Sequence, residues 1–157
     1  MVMTDGKTPI FVDTNVLIRL HVESAPDHHE IREVVRKLVN DGAEIWISRQ
    51  VLREYSAVLT REQPYTKPVA PSLVSAQIRL FETHYRIADE NSRITAALCT
   101  LMDTILMGGK QIHDANIVAT MQVYGILKLL TLNPVDFNRF SKHITVITPT
   151  DIINNRL

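Results

Sequence analysis

Residues 9–13 read Pro-Ile-Phe-Val-Asp, a short apolar run that ends abruptly at a carboxylate. A run of four apolar residues that includes isoleucine and valine, without polar alternation, is typical of a strand buried on both faces. Strands of this kind occur in parallel sheets that carry helices on both sides. The stretch therefore predicts the first strand of an α/β sheet, with Asp13 directly beyond its carboxyl end.

Outward from this strand, the chain alternates between helix-like and strand-like segments. Apolar residues recur at helical spacing in four segments, namely 27–40, 72–84, 90–107 and 114–124. A further helix is predicted to begin after Ser48, which has the side chain and the position of an N-cap. Short apolar runs predict four more strands, namely 44–47, 85–88, 127–132 and 144–147.

The remaining segments complete the predicted fold. Residues 62–71 contain three prolines and are predicted to form a loop, and residues 134–140 are predicted to form a helical turn. Strands that alternate with helices form a parallel sheet covered on both faces. The sequence therefore predicts a three-layer α/β/α fold with a central parallel sheet of about five strands. At 157 residues, the chain is expected to form a single domain over residues 1–157.

The composition indicates a protein of the cytoplasm. No apolar run approaches the roughly 20 residues that span a bilayer, and residues 1–7 lack the layout of a signal peptide, so no membrane association is expected. Cys99 is the only cysteine, and its apolar surroundings predict a buried thiol. The net charge is zero, whereas proteins that bind long stretches of nucleic acid are strongly basic. Any nucleic-acid footprint is therefore expected to be small or confined to one face.

Acidic and amide side chains follow several of the predicted strands. Asp13 follows the first strand, Glu54 lies one to two turns into the helix after the second, and Asp114 opens the helix before the fourth. Asn133 and Asp136 follow the fourth strand. The carboxyl ends of parallel strands meet at one edge of a sheet, where such folds place their functional crevice. We therefore expect these side chains to converge.

A cluster of carboxylates points to a metal ion. Neighbouring carboxylates repel and raise one another's pKa unless a cation holds them. Oxygen ligands suit Mg²⁺ or Mn²⁺ better than zinc, and such an ion can activate water for attack on a phosphate. Each residue also has a structural interpretation, because Asp13 and Asp114 can be N-caps, Glu54 a surface charge and Asn133 part of a turn. The repeated placement of these residues beyond strands favours the functional interpretation.

Four segments resemble the motifs of PIN-domain nucleases, in particular the VapC toxins. They are 10–17 (IFVDTNVL), 48–54 (SRQVLRE), 112–120 (IHDANIVAT) and 130–137 (LTLNPVDF). The segments occur in the order of the family and span nearly the whole chain. The resemblance implies a PIN-like fold and an RNA-cleaving activity.

Matched position by position, the resemblance assigns roles to eight residues. The metal-site acids of the family correspond to Asp13, Glu54 and Asp114. The polar residues that support the first acid, the metal-bound water or the substrate correspond to Thr14, Asn15 and Ser48. The fourth acidic position of the family corresponds to Asn133, and Asp136 could supply a carboxylate in its place.

The resemblance also implies a function and partners. It implies a Mg²⁺- or Mn²⁺-dependent endoribonuclease that leaves a 5′-phosphate and a 3′-hydroxyl. It implies a homodimer that is inhibited by a VapB-like antitoxin, whose C-terminal segment blocks the acidic pocket. Five basic residues are candidates either for contacts with RNA phosphates or for ordinary surface charge, namely Arg19, Arg49, Arg53, Lys110 and Arg139. A partner could cover apolar residues that exceed the needs of one core, namely Val35, Val39, Val58 and Leu59.

Other protein classes also place an aspartate after the first strand. Phosphatases of the haloacid-dehalogenase type need a second aspartate two residues later, where this chain has Asn15. Receiver domains need an acidic pair before that strand's aspartate and a lysine after a later strand, and neither pattern is present. Two alternatives within the PIN family stay open. One is a non-catalytic binding module, and the other is a PIN nuclease outside toxin–antitoxin systems.

Overall fold

A parallel sheet of five strands forms the centre of the protein, for which a computed structural model describes residues 6–155. The strands are β1 (Thr8–Val12), β2 (Ala43–Ser48), β3 (Arg86–Ala88), β4 (Lys128–Leu130) and β5 (Thr145–Ile147). Their order in the sheet is β3-β2-β1-β4-β5, and every neighbouring pair is parallel. The predicted three-layer fold with about five parallel strands is confirmed.

Helices connect the strands. They are α1 (Thr14–His21), α2 (His28–Asn40), α3 (Arg49–Leu59), α4 (Pro71–His84), α5 (Ser92–Thr104), α6 (Gln111–Tyr124) and α7 (Pro149–Ile153), together with a 3₁₀-helix over Pro134–Phe140. The chain first fills the sheet from β1 towards β3 and then returns to add β4 and β5 on the other side. The direction of filling reverses between β1 and β4, which is the position at which open α/β sheets place their functional crevice.

The centre of the sheet is buried on both faces. Phe11 on β1 lies beside Trp46 of β2 and Leu129 of β4 in the strand register. Phe11 and Leu129 are completely buried, and Trp46 is almost so. This continuous burial explains why the strands have apolar runs rather than an alternating pattern. It also holds the carboxyl ends of β1 and β4 in fixed positions, because both strands are packed from either side.

Several boundaries differ from those predicted. The sequence analysis missed α1, whose consecutive buried residues Val16, Leu17 and Ile18 resemble a strand, and it missed the five-residue α7. The predicted helix 90–107 ends at Thr104, because Ile105 is extended although apolar residues continue to pack against the core beyond it.

Two predictions about burial were wrong. Cys99 is exposed rather than buried, because α5 buries only Ile94 and Leu101 completely and Cys99 lies on its outer side. The apolar residues proposed as a partner surface belong mostly to the core. Val35 and Leu59 are buried and Val58 is partly buried against the core, so that Val39, which is 50% exposed, is the only one of the four on the surface.

Ser48 ends β2 and caps α3, as its position predicted. Its hydroxyl accepts a hydrogen bond of 3.3 Å from the backbone N–H of Val51, and the residue is almost completely buried. Because a lost N-cap leaves a helix N–H without a partner, we expect Ser48→Ala to lower the free energy of unfolding by about 1 kcal/mol. Urea denaturation measures the loss.

The matched control is Ser56→Ala in the same helix, where the hydroxyl donates to the Leu52 carbonyl one turn earlier. That hydrogen bond serves a carbonyl already used by the helix, so we expect Ser56→Ala to change the free energy of unfolding by less than about 0.5 kcal/mol. Equal losses in the two variants would contradict the capping role of Ser48.

No helix within residues 6–155 is long and apolar enough to cross a membrane.

Candidate active site

Asp13 lies at the carboxyl end of β1, beside the end of β4. Its backbone N–H donates to the Leu130 carbonyl at 3.0 Å, which ties the residue to the neighbouring strand. Its Oδ1 accepts a hydrogen bond from the backbone N–H of Thr14 at 2.8 Å, so the residue also caps α1. Its Oδ2 accepts hydrogen bonds from Thr131 Oγ1 at 2.7 Å and from Asn15 Nδ2 at 3.1 Å. Three donors therefore fix a carboxylate that is only 8% exposed.

Burial makes the negative charge on Asp13 unfavourable. It raises the pKa of Asp13 from 3.8 to about 6. The hydrogen bonds from Thr131 and Thr14 act in the opposite direction, whereas the nearby carboxylates of Glu54 and Asp136 raise the pKa further. Without a cation, Asp13 is therefore held in place and at the same time penalised for its charge.

Asp13 is expected to make the metal-free protein less stable as the pH rises. Its pKa of about 6 in the folded protein lies above the ordinary value of 3.8, so the folded state binds this proton more tightly than the unfolded state. The stabilisation from protonation is therefore complete below about pH 4 and is lost as the pH rises through about 6. We expect the free energy of unfolding of Asp13→Asn, relative to the wild type, to rise by about 2.5 kcal/mol between about pH 4 and about pH 7, which is most of the roughly 3 kcal/mol that the whole shift gives at about 1.4 kcal/mol per pKa unit.

Denaturant titrations in EDTA at the two pH values measure this difference. Groups whose ionisation does not depend on Asp13 cancel in the comparison, whereas Asp114 contributes a smaller residual difference because the Asp13 carboxylate raises its pKa. A difference between wild type and variant that stays constant over this range would show that Asp13 ionises normally.

Thr131 stands directly after β4 and was not singled out as a site residue by the sequence analysis. It is completely buried, donates to Asp13 and accepts from the backbone N–H of Asn133 at 3.1 Å. Asn15 is held from the same side, because its Oδ1 accepts from the backbone N–H of Leu132 at 3.2 Å. A polar residue immediately after a buried strand, as Asp13 is after β1, was the signal that could have identified Thr131.

Glu54 lies near the middle of α3 and both of its carboxylate oxygens accept hydrogen bonds. Thr14 Oγ1 donates to Oε2 at 2.7 Å, and Gln50 Nε2 donates to Oε1 at 2.8 Å. Thr14 thus connects the first two predicted acids, since its backbone N–H binds Asp13 and its hydroxyl binds Glu54.

Gln50 is a second residue that the sequence analysis did not single out. It is 5% exposed, and its Nε2 also donates to the backbone carbonyl of His113 at 2.9 Å. Its Oε1 accepts a hydrogen bond from Asn116 Nδ2 at 2.7 Å. The only hint in the sequence was its position one helical turn before Glu54. Many residues without a functional role also lie one turn from an acid, so this position did not identify Gln50.

Asp114 lies in the first turn of α6. The helix begins at Gln111, so the prediction that Asp114 opens the helix was wrong by one turn, and Asp114 is not the N-cap. Its pKa rises from 3.8 to about 6, mainly because the residue is partly buried. The carboxylates of Asp136, Asp13 and Glu54 raise it further, and His113 lowers it. Three of the acids predicted to converge are therefore close enough to Asp114 to affect its ionisation.

The two candidates for the fourth acidic position differ in what they contribute. Asn133 is exposed, and its backbone N–H donates to Thr131. Asp136 lies in the first turn of the 3₁₀-helix, and its carboxylate raises the pKa of both Asp13 and Asp114. Of the two, only Asp136 adds negative charge to the site.

The donor chemistry of this site fits a hard divalent cation. Carboxylate oxygens are the preferred ligands of Mg²⁺, and a cation would relieve the repulsion that raises the pKa of Asp13 and Asp114. Within residues 6–155, no three histidine, cysteine, aspartate or glutamate side chains stand close enough together to enclose an ion. The chemical type of these side chains therefore suits a divalent cation, although the side chains are not arranged closely around one point. Asp13, Glu54 and Asp114 remain predicted metal ligands.

Most of the basic residues considered for phosphate contacts already have partners. Arg19 pairs with Asp27. Arg49 pairs with Glu82 and Asp89, and Arg53 makes two hydrogen bonds to Glu90. Arg139 donates to the Leu106 carbonyl at 3.1 Å, and Lys110 lies exposed just before α6. Contacts of these residues with phosphate stay a prediction.

Most of the chain matches a known protein family. The family model of the PIN domain matches residues 10–142. The chain belongs to the PIN-domain family. The match covers the strands and helices that carry Asp13, Glu54, Asp114 and Asp136, so all four acids lie within the PIN domain.

Solved structures share the fold of this PIN domain at low sequence identity. VapBC-1 of Haemophilus influenzae has a TM-score of 0.65 at 16% identity, and the match covers 91% of this chain and 99% of that chain. VapC20 of Mycobacterium tuberculosis, a toxin that cleaves the sarcin–ricin loop, has a TM-score of 0.63 at 19% identity, with 87% and 96% covered. A toxin–antitoxin complex from Klebsiella pneumoniae has a TM-score of 0.62 at 21% identity, with 89% and 97% covered. No curated protein is similar enough in sequence to count as a match.

Proposed function

We propose that this PIN domain is a divalent-cation-dependent endoribonuclease and the toxin of a VapBC-type toxin–antitoxin pair. The observation that carries the proposal is the buried carboxylate of Asp13, which lies within electrostatic range of Glu54 and Asp136. Asp114 is affected by the same acids. A carboxylate whose pKa is raised by burial and by neighbouring acids is unfavourable for stability, and the position of Asp13 at the carboxyl edge of the sheet supports a role in function.

The residues of the chain divide into those that would hold a cation and those that orient them. Asp13, Glu54 and Asp114 would hold Mg²⁺ or Mn²⁺ through carboxylate oxygens. When bound, such an ion favours deprotonation of an attacking water and neutralises charge on the phosphodiester. Thr131 keeps Asp13 oriented, and Thr14 fixes Asp13 and Glu54 relative to each other.

RNA is the substrate that we propose, with cleavage that leaves a 5′-phosphate and a 3′-hydroxyl. The motif resemblance supports this choice, and VapC20, which shares the fold, is a toxin that cleaves the sarcin–ricin loop. A net charge of zero agrees with a small footprint, because only a few phosphates can then be neutralised. Lys110 just before α6 and Arg139 on the 3₁₀-helix lie near Asp114 and Asp136 in the chain and are the proposed phosphate contacts.

The proposed partners are a VapB-like antitoxin and a second copy of the chain. Support comes from structural neighbours that are toxin–antitoxin assemblies, including VapBC-1 of Haemophilus influenzae and the Klebsiella pneumoniae complex. The match with this chain covers nearly the full length of those two neighbouring chains.

The test of the proposed function is cleavage of a mixed cellular RNA pool by the purified protein. We expect cleavage with Mg²⁺, none with EDTA, and recovery of cleavage when excess Mg²⁺ is added back. The reason is that the cation held by the carboxylates would activate the attacking water. Mapping of the cut ends should give 5′-phosphates and 3′-hydroxyls. Expression of the wild type, but not of Asp114→Asn, should arrest the growth of a bacterial host.

Two results would contradict parts of the proposal. A folded preparation, shown to be free of bound antitoxin, that cleaves no RNA under any of these conditions would favour a non-catalytic binding module. Cleavage without growth arrest would favour a PIN nuclease outside toxin–antitoxin systems.

A further inference from the structure

The amide of Gln50 makes three hydrogen bonds between two helices. Its two N–H bonds donate to Glu54 Oε1 at 2.8 Å and to the His113 carbonyl at 2.9 Å. Its oxygen accepts from Asn116 Nδ2 at 2.7 Å. The side chain is 5% exposed, so solvent offers little substitute for these partners. Because both N–H groups and the oxygen of this buried amide have partners, the side chain has a single favourable conformation.

The partners also determine which way the amide faces. A carboxylate and a backbone carbonyl only accept hydrogen bonds, so Nε2 must face Glu54 and His113. Rotation of the amide by half a turn would place an oxygen against two acceptors. The oxygen therefore faces Asn116, which provides the donor that this orientation needs.

This arrangement joins the elements that carry two of the predicted metal ligands. Gln50 lies one turn before Glu54 on α3, and the His113 carbonyl directly precedes Asp114 on α6. A glutamate side chain has three rotatable bonds, and Glu54 is held by two hydrogen bonds, from Thr14 and Gln50. Removing the Gln50 contact would leave the Glu54 carboxylate held by the Thr14 hydroxyl alone.

We propose that Gln50 is a positioning residue that holds Glu54 at a fixed distance from Asp114, with Asn116 completing its hydrogen bonds. The inference rests on the proposed function and adds to it a residue that acts through Glu54. A neutral amide suits this role, because it orients the carboxylate without cancelling its charge. A lysine or arginine in its place would compete with the cation for Glu54.

The first test is the affinity of the protein for Mn²⁺, measured by titration calorimetry after removal of metal with EDTA. Residues that orient metal ligands typically change metal affinity by about 10- to 100-fold when replaced. We expect Gln50→Met, which keeps the length of the side chain, to weaken Mn²⁺ binding about 10-fold or more. The kcat for RNA cleavage should fall while the KM for RNA stays nearly unchanged.

The matched control is Gln63→Met. Gln63 is a half-buried glutamine that, like Gln50, donates to a backbone carbonyl, that of Val58 at 3.1 Å, but it lies in the loop before α4. We expect Gln63→Met to bind Mn²⁺ and cleave RNA as the wild type does. A comparison of the two variants separates loss of positioning from loss of a glutamine in general.

A second variant tests the role of Asn116 and protects the test against misfolding. Asn116→Leu removes the donor to Gln50 but leaves Glu54 untouched, and we expect it to weaken Mn²⁺ binding by a smaller factor. If Asn116 acts through Gln50, the double variant Gln50→Met/Asn116→Leu should bind Mn²⁺ no more weakly than Gln50→Met alone. If Gln50→Met fails to fold, the Mn²⁺ affinity of Asn116→Leu is the test. A wild-type Mn²⁺ affinity in that variant would overturn the proposal.

The outcomes distinguish this inference from the proposed function. Wild-type Mn²⁺ affinity and kcat in folded Gln50→Met would overturn the positioning role and leave the nuclease standing. A wild-type protein that neither binds Mn²⁺ nor cleaves RNA would overturn the nuclease and this inference together. Weaker Mn²⁺ binding in Gln50→Met, with the control unaffected, would support the positioning role.

Discussion

Replacement of Asp13 by asparagine is expected to lower RNA cleavage on the order of 10³-fold and to leave the protein folded. The carboxylate is held by three hydrogen bonds and lies at the carboxyl end of β1, beside the end of β4. Asparagine has the same shape, but it carries no charge and can offer only one oxygen. The variant therefore removes what a cation and a phosphate would recognise while leaving the backbone and its packing in place.

The measurement compares initial cleavage rates of Asp13→Asn and the wild type at saturating Mg²⁺. Asp103→Asn is the matched control, because Asp103 is an exposed aspartate on α5 outside the acidic site. We expect the control to cleave RNA at the wild-type rate. A loss below about 10-fold in Asp13→Asn would place the reacting phosphate elsewhere, and a similar loss in the control would indicate a general effect of surface charge.

The convergence of the acids could be predicted because it follows from topology. Buried parallel strands have continuous apolar runs, so each strand could be located and its carboxyl end identified within a few residues. Once the strands were parallel, Asp13 and the residues after β4 had to meet at one edge of the sheet. The structure agrees, since Asp13 is hydrogen-bonded to Thr131, which is 118 residues away in the chain.

The residues that orient the acids could not be predicted in the same way. Gln50 has partners 63 and 66 residues away, and its local sequence is that of an ordinary amphipathic helix. Whether a glutamine is buried and finds hydrogen-bond partners depends on which helix packs against it, and no local sequence pattern carries that information. Cys99 shows the same limit, because the apolar run around it indicated a helix without indicating which side of α5 faces the core.

The site combines a rigid sheet edge with ligands that come from helices. Asp13 and Thr131 are attached to the central strands, which are buried on both faces. Glu54 and Asp114 come from α3 and α6, and Gln50 and Asn116 link these two helices. The stability of the sheet and the geometry of the site are therefore coupled. Any loosening of β1 would move Asp13 relative to Glu54 and Asp114.

This coupling leads to the largest expected change in stability, which is that of Phe11→Ala. Phe11 is completely buried at the centre of the sheet, between Trp46 of β2 and Leu129 of β4 in the register. Truncation of a buried phenylalanine removes its burial and leaves a cavity that neighbouring strands cannot fill, which typically lowers the free energy of unfolding by about 3–5 kcal/mol. Since a domain of this size is stable by about 5–15 kcal/mol, the variant is expected to lose a large part of its total stability.

Denaturant titrations of Phe11→Ala and of the control Leu106→Ala measure this effect. Leu106 is 95% exposed, so its truncation should change the free energy of unfolding by less than about 0.5 kcal/mol. Because Asp13 lies two residues beyond Phe11 and its backbone is tied to β4, cleavage by the folded fraction of Phe11→Ala should also decrease. A loss of stability below about 1 kcal/mol would mean that the sheet repacks around the cavity, and that the position of Asp13 does not depend on a rigid β1.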